Sequence, residues 1–228
     1  MSRVIGLVQA KGGVGRSTVA TTLAGELARA SSVALVDCDM PQGTALAWGN
    51  IRRRIGRAER LAVDTARGQA ELEEKVGRYR RTADYVVLDG PPHVGEMTRA
   101  ILALADLCLV PIGASAAELW ATANLLLLVE EARSARQFDL RIVWTRFRGH
   151  TRDARDLSAM VSAALTYRSL EATLGYRGAY ASALGQGLTA AELPDTQARR
   201  EVAALVDEVK RIVGATGEHP APDPQPRG

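Results

Sequence analysis

Apolar and polar positions along the chain follow two alternating rhythms. Short apolar runs occur at residues 4–8, 33–36, 61–63, 85–88, 107–111 and 140–144, the last interrupted only by Arg141. They are rich in Val and Leu and too short for stable helices, so they read as buried strands. Between them, apolar residues recur three or four apart. Residues 17–30 carry Val19, Leu23 and Leu27 at a spacing of four, and residues 70–80 carry Leu72 and Val76. Helices are expected there, and also over 97–105, 118–136 and 151–165. Pro111 is expected to stop the strand that contains it. A last short strand is expected around Leu174. The terminal helix spans 196–213, with Val202, Leu205, Val206 and Val209 inward. Strands that are apolar on both faces and alternate with helices predict the α/β class, with a mostly parallel sheet flanked by helices.

Nothing along residues 1–216 marks a second domain or an internal repeat, and this stretch reads as one domain. Residues 217–228 hold four prolines and little that can be buried, which predicts a flexible tail. The chain has 228 residues, of which 46% are hydrophobic and 24% charged, and such a composition excludes wholesale disorder. With 29 basic and 26 acidic residues the formal charge is +3, which permits an acidic partner without requiring one. Cys38 and Cys108 both lie in apolar runs, as buried thiols of a reducing compartment would, and neither has a companion at metal-ligand spacing. His93, His150 and His219 are scattered, and His93 reads as a surface residue rather than an acid–base group. No apolar run approaches the ~20 residues of a membrane span, and no secretory signal is expected.

The strongest chemical signal is Ala10-Lys11-Gly12-Gly13-Val14-Gly15-Arg16-Ser17-Thr18, set between the first strand and the first helix. A glycine-rich turn in that position exposes successive backbone N–H groups. The helix N-terminus adds its dipole, and together they cradle phosphates. Ser17 stands where a P-loop places its Mg²⁺-binding hydroxyl. Two residues depart from G-x-x-x-x-G-K-[ST]: Ala10 replaces the first glycine and Arg16 the lysine. The glycine spacing does not give a dinucleotide-binding G-x-G-x-x-G. Asp37 and Asp39 flank Cys38 at the end of the second strand. Asp89 closes the fourth and is followed by Gly90-Pro91-Pro92. Phosphoryl transfer relies on positioning and charge neutralisation, which acidic strand ends beside a phosphate loop can supply.

These motifs resemble the ParA/MinD group of P-loop ATPases, whose deviant Walker A sequence is K-G-G-x-G-K-[ST]. The likeness runs from residue 3 to about 213, and it is greatest to short plasmid-type ParA proteins. It implies a P-loop fold and binding of ATP with Mg²⁺ by Lys11, Gly12, Gly13, Val14, Gly15, Arg16, Ser17 and Thr18. Lys11 matches the signature lysine that reaches the nucleotide of the opposite subunit. Arg16 aligns with the lysine on the β- and γ-phosphates. Asp37-Cys38-Asp39-Met40-Pro41-Gln42 resembles a D-x-D-x-P-Q segment, in which Asp39 orients the attacking water and Asp37 supports the Mg²⁺ shell. Asp89 resembles the Walker B aspartate, joining Ser17 at the metal. Pro111 to Ser115, with the helix after it, resembles the family's P-x-x-x-S loop. Val143 to Phe147, including Arg146, resembles the strand and loop that approach adenine.

The resemblance further implies an ATP-dependent sandwich homodimer, nonspecific double-stranded DNA as a ligand and a ParB-like or other cargo adaptor that stimulates hydrolysis. It places such a protein in the cytoplasm on the nucleoid, away from membranes. Because the phosphate loop begins almost at residue 9, the long DNA-reading extension of larger relatives is not expected. Candidate DNA-facing residues are Arg168, Arg177, Arg199, Arg200, Lys210 and Arg211, since backbone phosphates require positive charge. Arg52, Arg53 and Arg54 form a rival basic patch.

Overall fold

A computed structural model of the chain describes residues 2–113, 115–147, 156 and 167–215. The helix expected over 151–165 lies almost wholly outside the described residues, as does the tail at 217–228. Seven strands form one sheet: β1 (Arg3–Leu7), β2 (Val33–Asp37), β3 (Leu61–Thr65), β4 (Tyr85–Asp89), β5 (Leu107–Ile112), β6 (Asp139–Phe147) and β7 (Ser169–Gly175). Their spatial order is β3-β2-β4-β1-β5-β6-β7, and every pair is parallel.

Helices cover both faces. On one side α1 (Arg16–Leu27), α2 (Thr44–Arg54), α6 (Gly178–Gly185) and α7 (Thr196–Ala215) pack against Ile5, Leu7, Leu35 and Val87. On the other, α3 (Gln69–Tyr79), α4 (Glu96–Leu104) and α5 (Ala116–Ala135) cover Val4, Val36, Val86 and Leu88. Alternate residues of β1, β2, β4 and β5 thus enter opposite cores, which is why these strands read as apolar runs. The inward positions expected on α1, α3 and α7 are all buried.

Two expectations are corrected. Pro111 does not end its strand: it pairs with Val143 inside β5, and Ile112 continues the ladder to Trp144. Its carbonyl is also used, accepting from the Gln9 side chain at 3.1 Å. The arginine patch at 52–54 is not uniformly solvated. Arg53 and Arg54 are exposed, but Arg52 is buried on α2, where its guanidinium donates to Glu192 at 2.7 Å and to the Gly187 carbonyl at 3.0 Å. Residue 52 lies four after Trp48 on the same helical face, and its guanidinium lies over that ring at 5.2 Å. Helix α6 is an addition for which the apolar spacing gave no expectation.

The register brings the acidic residues together. Leu7, at the end of β1, lies beside Asp89, and Asp89 lies beside Asp37 on β2. In a parallel sheet all carboxyl ends open at one edge. The connections diverge near the central strand and leave a crevice there.

Candidate nucleotide-binding site

The loop after β1 is built for an anion. Gly13 and Gly15 adopt positive φ, 78° and 92°, a backbone region that favours glycine. Gly15 caps α1 without any side-chain hydrogen bond, and no acidic residue lies in the first turn. The first N–H groups of this helix are therefore left for a ligand. The loop is braced from below. The Gln9 side chain bridges the Pro111 carbonyl and the Thr122 hydroxyl, and its Oε1 accepts from the Ala10 N–H at 2.7 Å. Thr145 Oγ1 donates to the Val14 carbonyl at 2.6 Å, and Arg146 donates to the Gly13 carbonyl at 3.0 Å. Gly90, on the facing loop, lies so close to the Leu7 carbonyl that a Cβ would stand 2.6 Å from it.

A cavity of about 450 Å³ opens on this loop, lined by Gly12, Gly13, Gly15, Arg16, Ser17, Thr18, Asp39, Gln42, Thr44 and Pro92. A larger cleft of about 820 Å³ lies at the far end of α1, among Arg29, Arg52, Glu192 and Arg199. Its charged groups are largely paired with one another or with carbonyls, so the smaller cavity is the better phosphate site.

Within the smaller site the side chains divide by function. Asp37 is fully buried, and its oxygens accept from the backbone N–H groups of Asp39 at 3.0 Å and Leu46 at 2.9 Å. Burial raises its pKa, against the lowering effect of those N–H groups. Asp37 thus anchors the turn that presents Asp39 and starts α2. Asp89 is also fully buried, yet neither carboxylate oxygen has a hydrogen-bond partner among the described residues. Burial pushes its pKa up to about 7, opposed by the Ser17 hydroxyl and the charge of Arg16. A buried, unsatisfied carboxylate beside Ser17 suits a hydrated divalent cation, so this donor set fits Mg²⁺.

Arg16 lies under the loop, only 6% exposed. Its Nη2 reaches Asp39 Oδ2 at 3.1 Å and its Nε stands 3.7 Å from Asp89 Oδ1. Lys11 is half-buried and makes no hydrogen bond or ion pair among the described residues. Arg146 has a positive φ of 53° and its guanidinium stands 5.7 Å from the Tyr176 ring centroid. Gln9 and Thr145 are working residues that no local motif declares. Each is polar at the carboxyl end of an apolar strand, which is the signal that marks them.

The profile of the CobQ/CobB/MinD/ParA nucleotide binding domain matches residues 5–208, most of the chain. The chain belongs to this family. Among curated relatives of this MinD/ParA protein, the chromosome-partitioning ATPase Soj of Thermus thermophilus is 32% identical over 190 residues, covering 71% of this chain and 76% of Soj. The maintenance of carboxysome distribution protein A of Gloeobacter kilaueensis is 33% identical over 167 residues, covering 73% and 71%. The septum site-determining protein MinD of Pyrococcus horikoshii, solved with Mg-ADP, superposes with a TM-score of 0.73 at 16% identity, covering 96% of this chain and all of that one. That last likeness concerns the fold.

The other candidate residues are dispersed. Arg199, Arg200, Lys210 and Arg211 are exposed on α7, away from its buried stripe, and Arg168 is exposed just before β7. Arg199 donates to the Ala191 and Leu193 carbonyls. Arg177 is held by Glu201 through two hydrogen bonds, at 3.0 and 2.8 Å. His93 is exposed, and both cysteines are buried and free. Among the described residues no helix is long and apolar enough to cross a membrane, and no cluster of His, Cys, Asp and Glu forms a metal cage.

Proposed function

We propose that this protein is a DNA-partitioning ATPase that hydrolyses ATP to ADP and phosphate while cycling between a monomer and an ATP-bound sandwich dimer on nonspecific DNA. The observation that carries this reading is the uncapped start of α1 behind a braced glycine loop, with Asp39 on one side and the unsatisfied Asp89 below. Backbone N–H groups of the loop hold the phosphates. Ser17 and Asp89 would hold Mg²⁺ through its waters, and that ion would supply neutralisation of phosphate charge. Asp37 fixes the turn instead of joining the metal shell directly. Asp39 orients the attacking water and accepts its proton. Lys11, which has no partner among the described residues, reaches the phosphates of a second subunit. Arg146 and Tyr176 flank the side from which adenine would enter. Exposed basic residues of α7, with Arg168, contact DNA phosphates, and Arg177 orders the neighbouring turn through Glu201.

Similarity of equal strength to a carboxysome-distribution protein supports a second reading, in which the same cycle positions a protein cargo on the nucleoid. The adaptor protein differs between the two readings, and the chemistry does not. The test is ATP turnover measured alone, with duplex DNA, and with DNA plus the product of a neighbouring gene. Slow basal turnover that rises only when DNA and the adaptor are both present is expected. Turnover indifferent to both would overturn the partitioning cycle, and no nucleotide binding would overturn the site itself.

A further inference from the structure

Arg16 is gripped on three sides. Its Nη1 donates to the Gln9 carbonyl at 3.3 Å, its Nη2 to Asp39 at 3.1 Å, and its Nε lies 3.7 Å from Asp89. Those two carboxylates are the ones to which the reading above gives water orientation and the metal shell. A lysine here would end in one compact charge on a flexible stem. The planar guanidinium fork can face both acids at once while its third arm is tied to the backbone of the loop. Among the described residues no hydrogen bond reaches Arg16 Nε or the Asp89 oxygens within ordinary geometry, and the charge of Arg16 acts on Asp89 beside the Ser17 hydroxyl to offset its burial.

We infer that Arg16 is a tethered cation that competes with the divalent metal for Asp89, making nucleotide affinity in this protein only weakly dependent on Mg²⁺. The inference rests on the nucleotide-binding reading of the site. Two effects act in the same direction. In the absence of metal, Arg16 already offsets Asp39 and Asp89, which would otherwise repel the phosphates. When metal arrives it must share Asp89 with a guanidinium that is already there. Each effect reduces the coupling between metal and nucleotide, and coupling free energies are reciprocal. Arg16→Lys removes the fork but keeps the charge, so it restores the coupling.

The experiment is equilibrium binding of fluorescent ADP to the full chain, in Mg²⁺ and in EDTA, for wild type and Arg16→Lys. ADP keeps turnover out of the readout. Removing Mg²⁺ is expected to weaken wild type by no more than about threefold and Arg16→Lys by about tenfold or more. Equal dependence in the two proteins overturns the inference. So does a loss of about tenfold or more in wild type, a criterion that holds even if the variant does not fold. Either result, with ADP still bound in Mg²⁺, leaves the nucleotide site standing. Absence of ADP binding under both conditions removes the site and the inference together.

Discussion

The hydroxyl of Thr145 donates to the carbonyl of Val14, joining the end of β6 to the glycine loop that follows β1. Thr145 is 3% exposed, and its methyl group packs 3.7 Å from where a Cβ on Gly15 would sit. The loop is thereby held open by a residue more than a hundred positions away. Thr145→Val keeps the shape but leaves the Val14 carbonyl buried and unpaired. Destabilisation of about 1–2 kcal/mol is expected in urea unfolding, together with weaker ADP binding. An unchanged unfolding midpoint would show that the bond contributes nothing.

Arg52 and Glu192 supply a sharper stability test. Glu192 accepts from the buried Arg52 and from Arg57, and its carboxylate also receives the Thr189 N–H. Glu192→Ala strands a buried guanidinium and is expected to destabilise by about 3 kcal/mol. Replacing Arg52 with Met removes both charge and fork, and is expected to be milder. If the two substitutions are equally mild in thermal unfolding, the pair is not electrostatically buried.

The same carboxylate predicts a pH dependence. Burial pushes the Glu192 pKa up, but the hydrogen bonds from Arg52 and the Thr189 N–H, with the charges of Arg52 and Arg57, outweigh it. The net shift is downward from 4.5. A depressed folded pKa means the unfolded chain binds the proton first as pH falls. The contribution is complete above the ordinary glutamate value and is lost as pH drops through the folded one. The stability of wild type should therefore fall more steeply than that of Glu192→Gln in this acid range, as read from unfolding curves at a series of pH values.

Lys11→Ala tests the cross-subunit role. With ATP and Mg²⁺, wild type is expected to sediment as a dimer and the variant as a monomer, while ADP affinity changes little. Equal dimerisation of both would mean that Lys11 acts within its own subunit or not at all.

DNA contact is tested by a salt series on unrelated duplexes with the ATP-bound protein. Affinity should fall steeply with salt and vary little with sequence. Replacing Arg200 and Lys210 together by Ala should reduce the salt slope by roughly one to two charges for each protomer engaged. A slope that does not change would move the interface off α7.

The site was legible where chemistry demands short-range order. Lys11 to Thr18, Asp37 to Pro41 and Asp89 to Pro92 each declare themselves within a few residues, and strand ends brought them together through the register of β2, β4 and β1. What was not legible depends on distance. Nothing near Pro111 reveals that its carbonyl faces Gln9, and a residue that ordinarily interrupts ladders continues one here. Arg52 looks like its neighbours Arg53 and Arg54 until Glu192 arrives from the other end of the chain to bury it. The inward turn of Arg16 toward two aspartates was equally hidden, because charge and type alone suggested only a phosphate ligand.

The position of β1 has a consequence for how the molecule is made. Arg3 pairs with Tyr85, and Ile5 with Leu107, so β1 has no partner until two strands much later in the chain emerge from the ribosome. At translation rates of about 5–20 residues per second, the wait is roughly 5–20 s. Throughout that interval β1 is an apolar segment with both edges open, and the residues that will cradle phosphate hang from its end without the geometry to do so. β1 must therefore be kept from mispairing in the nascent chain, and the nucleotide site cannot take shape before β4 and β5 have emerged.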